Sequence, residues 1–369
     1  MDHSVNLQEK KTLFRADQVG SLLRSDKVKA ARLQRAAGEI TSEQLRHIEN
    51  EEIARIVEKQ KEIGLQAVTD GEFRRAWWHF DFLENLVGVE GYDKEDGIQF
   101  YQKQTKSHSI RVTGKLDFNH HPMVEDYKFL HSVAGKHTAK ITIPSPSMLH
   151  FRGEINAYHD QEEFFHDLAC TYKKAIQSFY DAGCRYLQLD DTSWAYLCSD
   201  EQKEQIRARG LDPELLRKFY AKTINDAVAD RPDDMRITMH ICRGNFRSTW
   251  ISSGGYEPVA ETLFDGLNLD GFFLEYDSDR AGGFEPLRFV KRPDLGIVLG
   301  LITSKFGELE NPEDIKRRIE EASRFVDLNQ LAISPQCGFA STEEGNLLTE
   351  EQQWAKLRHV VEIAEDVWK

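Results

Sequence analysis

The chain has 369 residues, of which 40% are apolar and 10% aromatic, enough to bury a large core. Its 48 basic and 62 acidic residues give a net charge of −14, which argues against nucleic acid and anionic membranes as partners. No apolar stretch approaches the length of a membrane span, and the first ten residues lack the apolar segment of a signal peptide. Five dispersed cysteines without a Cys-x-x-Cys pair indicate a reduced, cytoplasmic protein.

Eight short apolar segments alternate with amphipathic stretches along the chain. Each predicts a β-strand, and they begin at Leu13, Gln66, Ile141, Tyr186, Arg236, Gly271, Gly296 and Leu331. Eight strands that alternate with helices predict a (β/α)8 TIM barrel, here as a single domain over residues 1–369. An open, doubly wound sheet is the alternative, although no glycine-rich phosphate loop follows the first segment.

Three helix starts carry capping signals. Thr or Asn at the cap with Gln three residues later, or with Pro directly after it, predicts where each helix begins. These pairs are Thr41 with Gln44, Asn311 with Pro312, and Thr349 with Gln352.

Residues 88–137 interrupt the alternation of strands and helices. The stretch is polar, contains alternating patches such as SIRVTGKLDF, and holds His120, His121 and His131. We interpret it as a β-hairpin insertion after the second strand, and not as a separate domain.

Four residues of metal-binding type stand at the ends of predicted strands: His240, Cys242, Glu275 and Cys337. His240 and Cys242 lie two apart, so both side chains point to the same side of an extended strand. The later intervals match one βα unit and then two, which places the four at strands five, six and eight. In TIM barrels the functional groups gather at the C-terminal ends of strands. Two thiolates, an imidazole and a carboxylate suit zinc better than magnesium or calcium.

Taken singly, each of these residues has a structural interpretation. A free cysteine is commonly buried as a small apolar side chain, and a lone histidine is commonly a hydrogen-bonded core residue. Four residues of matching chemistry at matching strand ends favour the metal site instead.

The same segments resemble those of cobalamin-independent methionine synthases. That family binds zinc through His-x-Cys, a Glu on the next strand and a Cys in Pro-x-Cys-Gly, which here are HIC at 240–242, Glu275 and PQCG at 335–338. Three further segments extend the resemblance over nearly the whole chain: VGS at 19–21, DGE at 70–72 and QLDD at 188–191. The family enzyme carries two barrels, and this chain has the length of the second, catalytic one.

The resemblance implies a zinc-dependent methyltransferase that converts L-homocysteine to methionine. It also implies that Ser21, Glu72 and Asp190 hold the amino acid part of homocysteine. Carboxylates attract an α-ammonium group, and a hydroxyl with backbone N–H groups suits an α-carboxylate. Asp191 is close enough in sequence to exchange roles with Asp190. The alternative for the carboxylates is a structural ion pair with a nearby arginine, namely Arg15, Arg74 or Arg75.

The ligand set favours alkyl transfer to sulfur. A free thiol has a pKa of about 8.5, and coordination to zinc deprotonates it. Glu275 is the least thiophilic ligand, so we expect it to act catalytically by giving way when the substrate sulfur arrives. Peptide hydrolysis is less expected, because zinc peptidases commonly use two histidines and a glutamate.

The donor side departs from the family pattern. The family's proton-donating histidine after strand seven is missing from GLITSKFGELE, where Lys305 is our candidate replacement. Pro146 stands where the family has a tryptophan that stacks on the pterin, and Tyr196 stands near the family's folate-contacting glutamate. The methyl donor is therefore open: a methylated folate, a methyl-corrinoid protein or a small methylated metabolite. The segment after Glu72 could overhang the site with Arg74, Trp77, Trp78 and His79. Trp77 and Trp78 could pack on a planar or sulfonium donor, or they could form hydrophobic cover beneath a loop.

Two other functions stay open on the sequence alone. One is alkyl transfer to, or cleavage from, another thiol, as in the epoxyalkane:coenzyme M transferases, which share the barrel and the zinc chemistry. The other is a non-catalytic zinc barrel that serves as a sensor or partner protein, although structural zinc sites are normally closed.

Overall fold

A computed structural model of the protein describes residues 13–93, 99–100, 103–104 and 108–369. Its central element is a parallel sheet in the order β13-β12-β11-β10-β9-β7. The strands of the described residues are β1 Ala67–Val68, β2 Val87–Tyr92, β3 Gln99–Phe100, β4 Lys103–Gln104, β5 Ser109–Asp117, β6 Thr138–Ala139, β7 Ile141–Pro144, β8 Gly153–Ile155, β9 Tyr186–Asp191, β10 Arg236–Ile241, β11 Gly271–Glu275, β12 Gly296–Ile302 and β13 Leu331–Pro335. The molecule is an α/β protein with mostly parallel strands, and six of the eight predicted strands belong to this one sheet.

The first two predicted segments are less regular than expected. The strand predicted from Leu13 is reduced to one parallel bridge, in which Ile333 N–H donates to the Arg15 carbonyl (2.9 Å) and Asp17 N–H donates to the Ile333 carbonyl (3.1 Å). The second keeps only β1, which pairs in parallel with β6. In the first segment the physical reason is Gly20, because its φ of +148° turns the chain away from an extended strand. The ends of the two segments are joined by hydrogen bonds from Leu22 N–H to the Gly71 carbonyl (3.0 Å) and from the Thr69 hydroxyl to the Gly20 carbonyl (2.7 Å).

Helices follow most of the strands. They are α1 Asp26–Ala36, α2 Ser42–Glu62, α3 Phe80–Leu83, α4 Pro122–Ala134, α5 Ser147–Arg152, α6 Gln161–Asp181, α7 Ser193–Cys198, α8 Asp200–Ala208, α9 Pro213–Val228, α10 Ala260–Phe264, α11 Pro312–Ala322 and α12 Glu350–Val367. Three 3₁₀ turns join them at Asp279–Ala281, Glu285–Phe289 and Leu328–Gln330. No described helix is both long and apolar enough to cross a bilayer.

The three predicted helix starts are confirmed. Thr41 and Thr349 each form a complete capping box with the glutamine three residues later. Asn311 caps α11, in which a proline occupies the first turn. Polar side chains thus satisfy the free N–H groups that every helix leaves at its beginning.

The region 88–137 is partly as predicted. β2 and β5 pair antiparallel, and β8 then joins β5 in parallel, so the small sheet contains three strands. The prediction of a β-hairpin over the whole region is wrong at its end, because α4 occupies residues 122–134. His121 caps α4, with its ring accepting from Met123 N–H at 3.2 Å, and Pro122 sets the first turn. Residues 94–98, 101–102 and 105–107 of this region lie outside the described residues.

A buried ion pair lies inside the curve of the parallel sheet. Lys140, on the short link between β6 and β7, lies 3.2 Å from Asp17, and both side chains are fully buried. Tyr186 donates a hydrogen bond of 2.6 Å to the same carboxylate. Apolar side chains fill the space beside them, including Phe273 and Val298. The carboxylate therefore fixes the start of the chain to the sheet.

Candidate active site

The four predicted metal ligands meet at the C-terminal edge of the sheet. His240 is in β10 and Cys242 follows it, Glu275 ends β11, and Cys337 lies two residues after β13. One ligand atom from each residue lies within 4.8 Å of all the others, and all four residues are buried. The two sulfur atoms are 3.5 Å apart, and both cysteines are free. This is the arrangement that the strand spacing predicted.

Three of the nitrogen and oxygen atoms in the predicted ligand set have no hydrogen-bond partner. Both ring nitrogens of His240 and the Oε2 atom of Glu275 are buried without a hydrogen bond. Glu275 Oε1 accepts from Arg243 N–H at 2.9 Å, and the Tyr256 hydroxyl accepts from Glu275 N–H at 2.9 Å. Buried polar atoms without partners are costly, so their convergence on one point fits a metal ion.

The charges of these groups depend on one another. The hydrogen bond from Cys242 and the neighbouring His240 hold the pKa of the Cys337 thiol well below its usual value. The pKa of Cys242 is raised correspondingly, first by its bond to Cys337 and then by burial. Burial also raises the pKa of Glu275. These shifts favour the thiolate form of Cys337 over that of Cys242, and the thiolate is the form in which a cysteine binds a metal.

A narrow cavity of about 40 Å³ joins the metal ligands to the predicted substrate residues. His240, Cys242 and Cys337 line it, and Glu275 lies behind them, outside the lining. The lining also contains all three residues that the resemblance assigned to the amino acid, Ser21, Glu72 and Asp190. The volume has room for only a few water molecules.

Glu72 occupies a strained position on this cavity. Its φ is +58°, which side chains other than glycine rarely adopt, and burial raises the pKa of its carboxyl. Oε1 accepts from the Thr142 hydroxyl at 2.8 Å and lies 3.6 Å from Arg75, whereas Oε2 is buried without a partner. The arginine alternative therefore applies to one carboxylate oxygen only, and the other faces no protein donor.

Asp190 lies beside His240 in the parallel register of β9 and β10. Burial raises its pKa to about 7, and Oδ1 accepts from the Gln188 amide at 2.7 Å. Asp191, the predicted substitute, does not line the cavity. Its carboxylate accepts from the Trp194 N–H at 3.1 Å and from three serine hydroxyls, those of Ser145, Ser147 and Ser193.

Ser21 is held against the segment that carries Cys337. The Ser21 carbonyl accepts from Phe339 N–H at 2.9 Å, and its hydroxyl accepts from Ala340 N–H at 3.3 Å. A Cβ atom on Gly338 would lie 1.9 Å from the Ser21 oxygen, so only glycine allows this contact. The glycine of the Pro-x-Cys-Gly segment thus brings the substrate residue close to the metal ligand.

Some of the residues predicted on the donor side line the cavity, and others do not. Trp77, Trp78, His79 and Tyr196 line the cavity, whereas Pro146 and Lys305 do not. Lys305 is buried, with its ammonium 3.4 Å from Asp277, so it is not a solvated surface lysine.

The prediction that Arg74 overhangs the site is wrong. Its guanidinium pairs with Glu49 of α2 at 3.0 Å and with Asp126 of α4 at 3.2 Å, and Arg74 does not line the cavity. The positive charge on the cavity is Arg152, which the sequence reasoning missed. Arg152 ends the short helix α5, and no spacing pattern in the sequence singles it out.

Two loops close over the cavity. Trp77 forms an antiparallel bridge with Thr342, Trp78 N–H donates to the Ser341 carbonyl at 3.0 Å, and Glu343 N–H donates to the Ala76 carbonyl at 2.9 Å. The loop after the second segment is thereby fastened to the loop after β13.

Residues 14–366 match the family described as the catalytic domain of cobalamin-independent synthase. The chain belongs to this family. It is 70% identical over 367 residues to the uncharacterized protein YxjG of Bacillus subtilis, covering 99% of this chain and 97% of that one. A methionine synthase of Sulfolobus acidocaldarius is 23% identical over 304 residues, covering 82% of this chain and 78% of that one.

Among solved structures, a Listeria monocytogenes protein described as a candidate vitamin-B12-independent methionine synthase is 55% identical. It superposes with a TM-score of 0.81 and covers 97% of this chain and 99% of that chain. The protein is therefore a methyltransferase of the methionine synthase type. A family that works without cobalamin gives no support to the predicted corrinoid partner.

Proposed function

We propose that the protein transfers a methyl group from a small-molecule donor to the thiol of L-homocysteine and so forms methionine. The observation that carries this proposal is the shared cavity. Three of the proposed metal ligands and two buried carboxylates line the same narrow space. One molecule can therefore place its sulfur at the metal ligands and its amino group at the carboxylates. A thiol without an amino group would leave the Oε2 atom of Glu72 buried without a hydrogen-bond partner.

We propose zinc as the metal, held by His240, Cys242, Glu275 and Cys337. A bound zinc ion would supply Lewis acidity that keeps the substrate sulfur in its nucleophilic thiolate form. The donor set of two sulfurs, one nitrogen and one oxygen, with unpartnered atoms on His240 and Glu275, supports this choice.

The amino acid part would be held by the residues opposite the metal ligands. Glu72 Oε2 has no protein donor and faces the lining, so it can accept from an ammonium group together with Asp190. The Ser21 hydroxyl can bind the carboxylate. Glu275 and Lys305 remain predicted catalytic residues, and the ion pair with Asp277 holds the Lys305 ammonium beside the ligand set.

We also propose that the eight segments close into a (β/α)8 barrel and that the chain is one domain, with the strands of region 88–137 inserted after the second segment. The bond between Leu22 and Gly71 and the bridge at Ala16 support closure. We place the reaction in the cytoplasm, where reducing conditions would keep Cys242 and Cys337 as thiols. A single cooperative unfolding transition, coincident by fluorescence and circular dichroism, is the expected result for one domain.

Zinc-edge X-ray absorption with and without L-homocysteine tests the function. We expect the zinc-loaded protein to gain one sulfur neighbour and lose one oxygen or nitrogen neighbour when homocysteine is added. L-Homoserine, which replaces the sulfur by oxygen, is the matched control and should add no sulfur. An unchanged spectrum with homocysteine would remove homocysteine as the substrate and point to another thiol.

A further inference from the structure

Two buried polar side chains contact the substrate carboxylates from outside the cavity. Thr142 is on β7 and Gln188 on β9, and the two residues are partners in the parallel register of these strands. Both residues are at most 2% exposed, and neither lines the cavity. They can therefore affect a bound molecule only through the side chains that they contact, Glu72 and Asp190.

The amide of Gln188 joins Asp190 to the segment that carries Ser21. Its Nε2 atom donates to Asp190 Oδ1 at 2.7 Å and to the Val19 carbonyl at 2.6 Å. Both partners are acceptors, so the amide satisfies them only with its NH₂ group. Within the described part of the chain, Gln188 Oε1 is left buried without a hydrogen bond, which is costly. An apolar side chain of similar length would avoid this cost, which points to a role for the amide beyond packing.

Thr142 has the same relation to Glu72. Its hydroxyl donates to Glu72 Oε1 at 2.8 Å. A Cβ atom on Gly20 would lie 2.6 Å from the methyl carbon of Thr142, so the chain just before Ser21 passes against this residue. Thr142 and Gln188 thus each contact one substrate carboxylate and the backbone that leads to Ser21.

Each carboxylate keeps one oxygen for a ligand. Glu72 Oε2 is buried without a partner, and no hydrogen bond from the described residues reaches Asp190 Oδ2. The terminal torsion of a carboxylate side chain is soft, so a hydrogen bond to one oxygen is needed to fix the direction of the other. Thr142 and Gln188 supply these bonds. The two open oxygens therefore keep a set position, which suits the N–H donors of an ammonium group.

We propose that Thr142 and Gln188 are positioning residues, which fix the open oxygens of Glu72 and Asp190 for the α-ammonium group of the thiol substrate. The inference rests on the proposed function, since it takes these carboxylates as the amino acid site. Neither side chain touches the substrate, and each acts through the carboxylate that it binds. Their loss should weaken the binding of a thiol that carries an amino group and spare a thiol that lacks one.

Calorimetry on the zinc-loaded full chain tests the proposal, with L-homocysteine and 4-mercaptobutanoate, the thiol without the amino group, as probes. Thr142→Val and Gln188→Met remove the hydrogen bonds and nearly keep the volume. Each should raise the Kd for homocysteine by about tenfold, as for loss of a hydrogen bond to a charged group, and change that for 4-mercaptobutanoate by less than about twofold. Thr142→Ser, which keeps the hydroxyl, should restore most of the affinity for homocysteine.

A double variant shows whether Gln188 acts through Asp190. In the Asp190→Asn background, adding Gln188→Met should change the Kd for homocysteine by less than about twofold, because effects that act through one group are not additive. Gln202→Met is the matched control, because it alters a buried glutamine on α8 that does not line the cavity.

The proposal is overturned if Thr142→Val and Gln188→Met both bind homocysteine as tightly as Gln202→Met does, or if they weaken the two thiols equally. Equal effects of Gln188→Met in the wild type and in Asp190→Asn would also overturn it. Urea unfolding shows whether each variant is folded. If one variant does not fold, the other decides, and failure of both would assign the two residues to stability alone.

Zinc-edge spectra of the same samples separate this inference from the proposed function. An unchanged spectrum when homocysteine is added to the wild type counts against the proposed function. A normal wild-type response, together with unaltered binding by both variants, counts against the positioning role alone.

Discussion

The two sides of the cavity are built in different ways. On the metal side, His240 and Glu275 lie in regular strands and Cys242 and Cys337 within two residues of a strand end, so the parallel sheet sets their positions. On the opposite side, Trp78, His79, Arg152 and Tyr196 lie in loops and short helices. Residues at the edge of a parallel sheet keep fixed positions, which suits a set of metal ligands. Loops can differ in sequence and so alter the binding of the second substrate without moving the groups that bind the first.

The largest expected effect is on the metal side. Cys337→Ser replaces a thiolate by a hydroxyl that stays protonated at neutral pH, so zinc affinity and turnover should each fall by at least about a hundredfold. Zinc content by mass spectrometry of the purified protein and the rate of methionine formation measure the two effects. Cys170→Ser is the control, because Cys170 lies on α6 away from the site. Stoichiometric zinc with normal turnover in Cys337→Ser would show that the ligand set is wrongly assigned.

The carboxylates opposite the metal should respond only to substrates with an amino group. Glu72→Gln or Asp190→Asn should lower kcat/KM for homocysteine by about a hundredfold, because losing one partner of a buried charge pair costs about 2–5 kcal/mol. The reference substrate is 4-mercaptobutanoate, which is homocysteine without its amino group. Its kcat/KM should be low in the wild type and nearly unchanged in the variants.

Glu39→Gln, at an exposed position, controls for the loss of charge. Equal losses for the two thiols would contradict the ammonium role and return Glu72 to a structural ion pair with Arg75. The same result would favour alkyl transfer to a different thiol.

The residues on the metal side of the cavity could be predicted from the sequence more fully than those on the opposite side. Ligand chemistry, strand spacing and the family segments predicted that His240, Cys242, Glu275 and Cys337 come together, because the order of strands in a parallel sheet follows chain order. Arg152 gave no signal, since its place depends on how a six-residue helix packs, and Arg74 was misplaced because its partners on α2 and α4 are far away in sequence.

The first strand failed for a physical reason too. Its apolar pattern predicted a regular strand, yet the buried pair of Asp17 and Lys140 and the turn at Gly20 leave only one bridge. The apolar pattern predicts which residues are buried. It does not predict that a buried carboxylate such as Asp17 pairs with a lysine from a distant part of the chain.

Acid should destabilise the folded protein through two buried histidines. Burial lowers the pKa of His150 and of His121 to about 4, while in the unfolded chain a histidine titrates near 6.5. Between these values the unfolded state binds a proton that the folded state does not, so stability is full above about pH 6.5 and falls as the pH decreases towards 4. Each histidine should lower the free energy of unfolding by about 2 kcal/mol between pH 7 and pH 5.

Urea unfolding at both pH values measures this loss. In His150→Gln the difference between pH 7 and pH 5 should shrink by about 2 kcal/mol relative to the wild type, whatever the variant does to stability at pH 7. His159→Gln, at an exposed position, should keep the full difference. Equal pH dependence in the two variants would mean that His150 does not stay neutral in the folded protein, despite its contact of 2.9 Å with the Tyr220 hydroxyl.

The smallest expected effect is a loss of stability at two helix starts, and we expect the loss to be similar at both. Thr41→Ala in the capping box of α2 and Thr349→Ala in that of α12 each leave one N–H group of the first helical turn without its side-chain acceptor. Each should lower the free energy of unfolding by about 1 kcal/mol, and Thr→Ser at the same position should restore most of the loss. Both values come from urea unfolding at pH 7. Closely matched losses would mean that both sides of the cavity belong to one cooperative unit and differ only in the cavity itself. A loss at only one cap would mean that the first and last parts of the chain unfold separately.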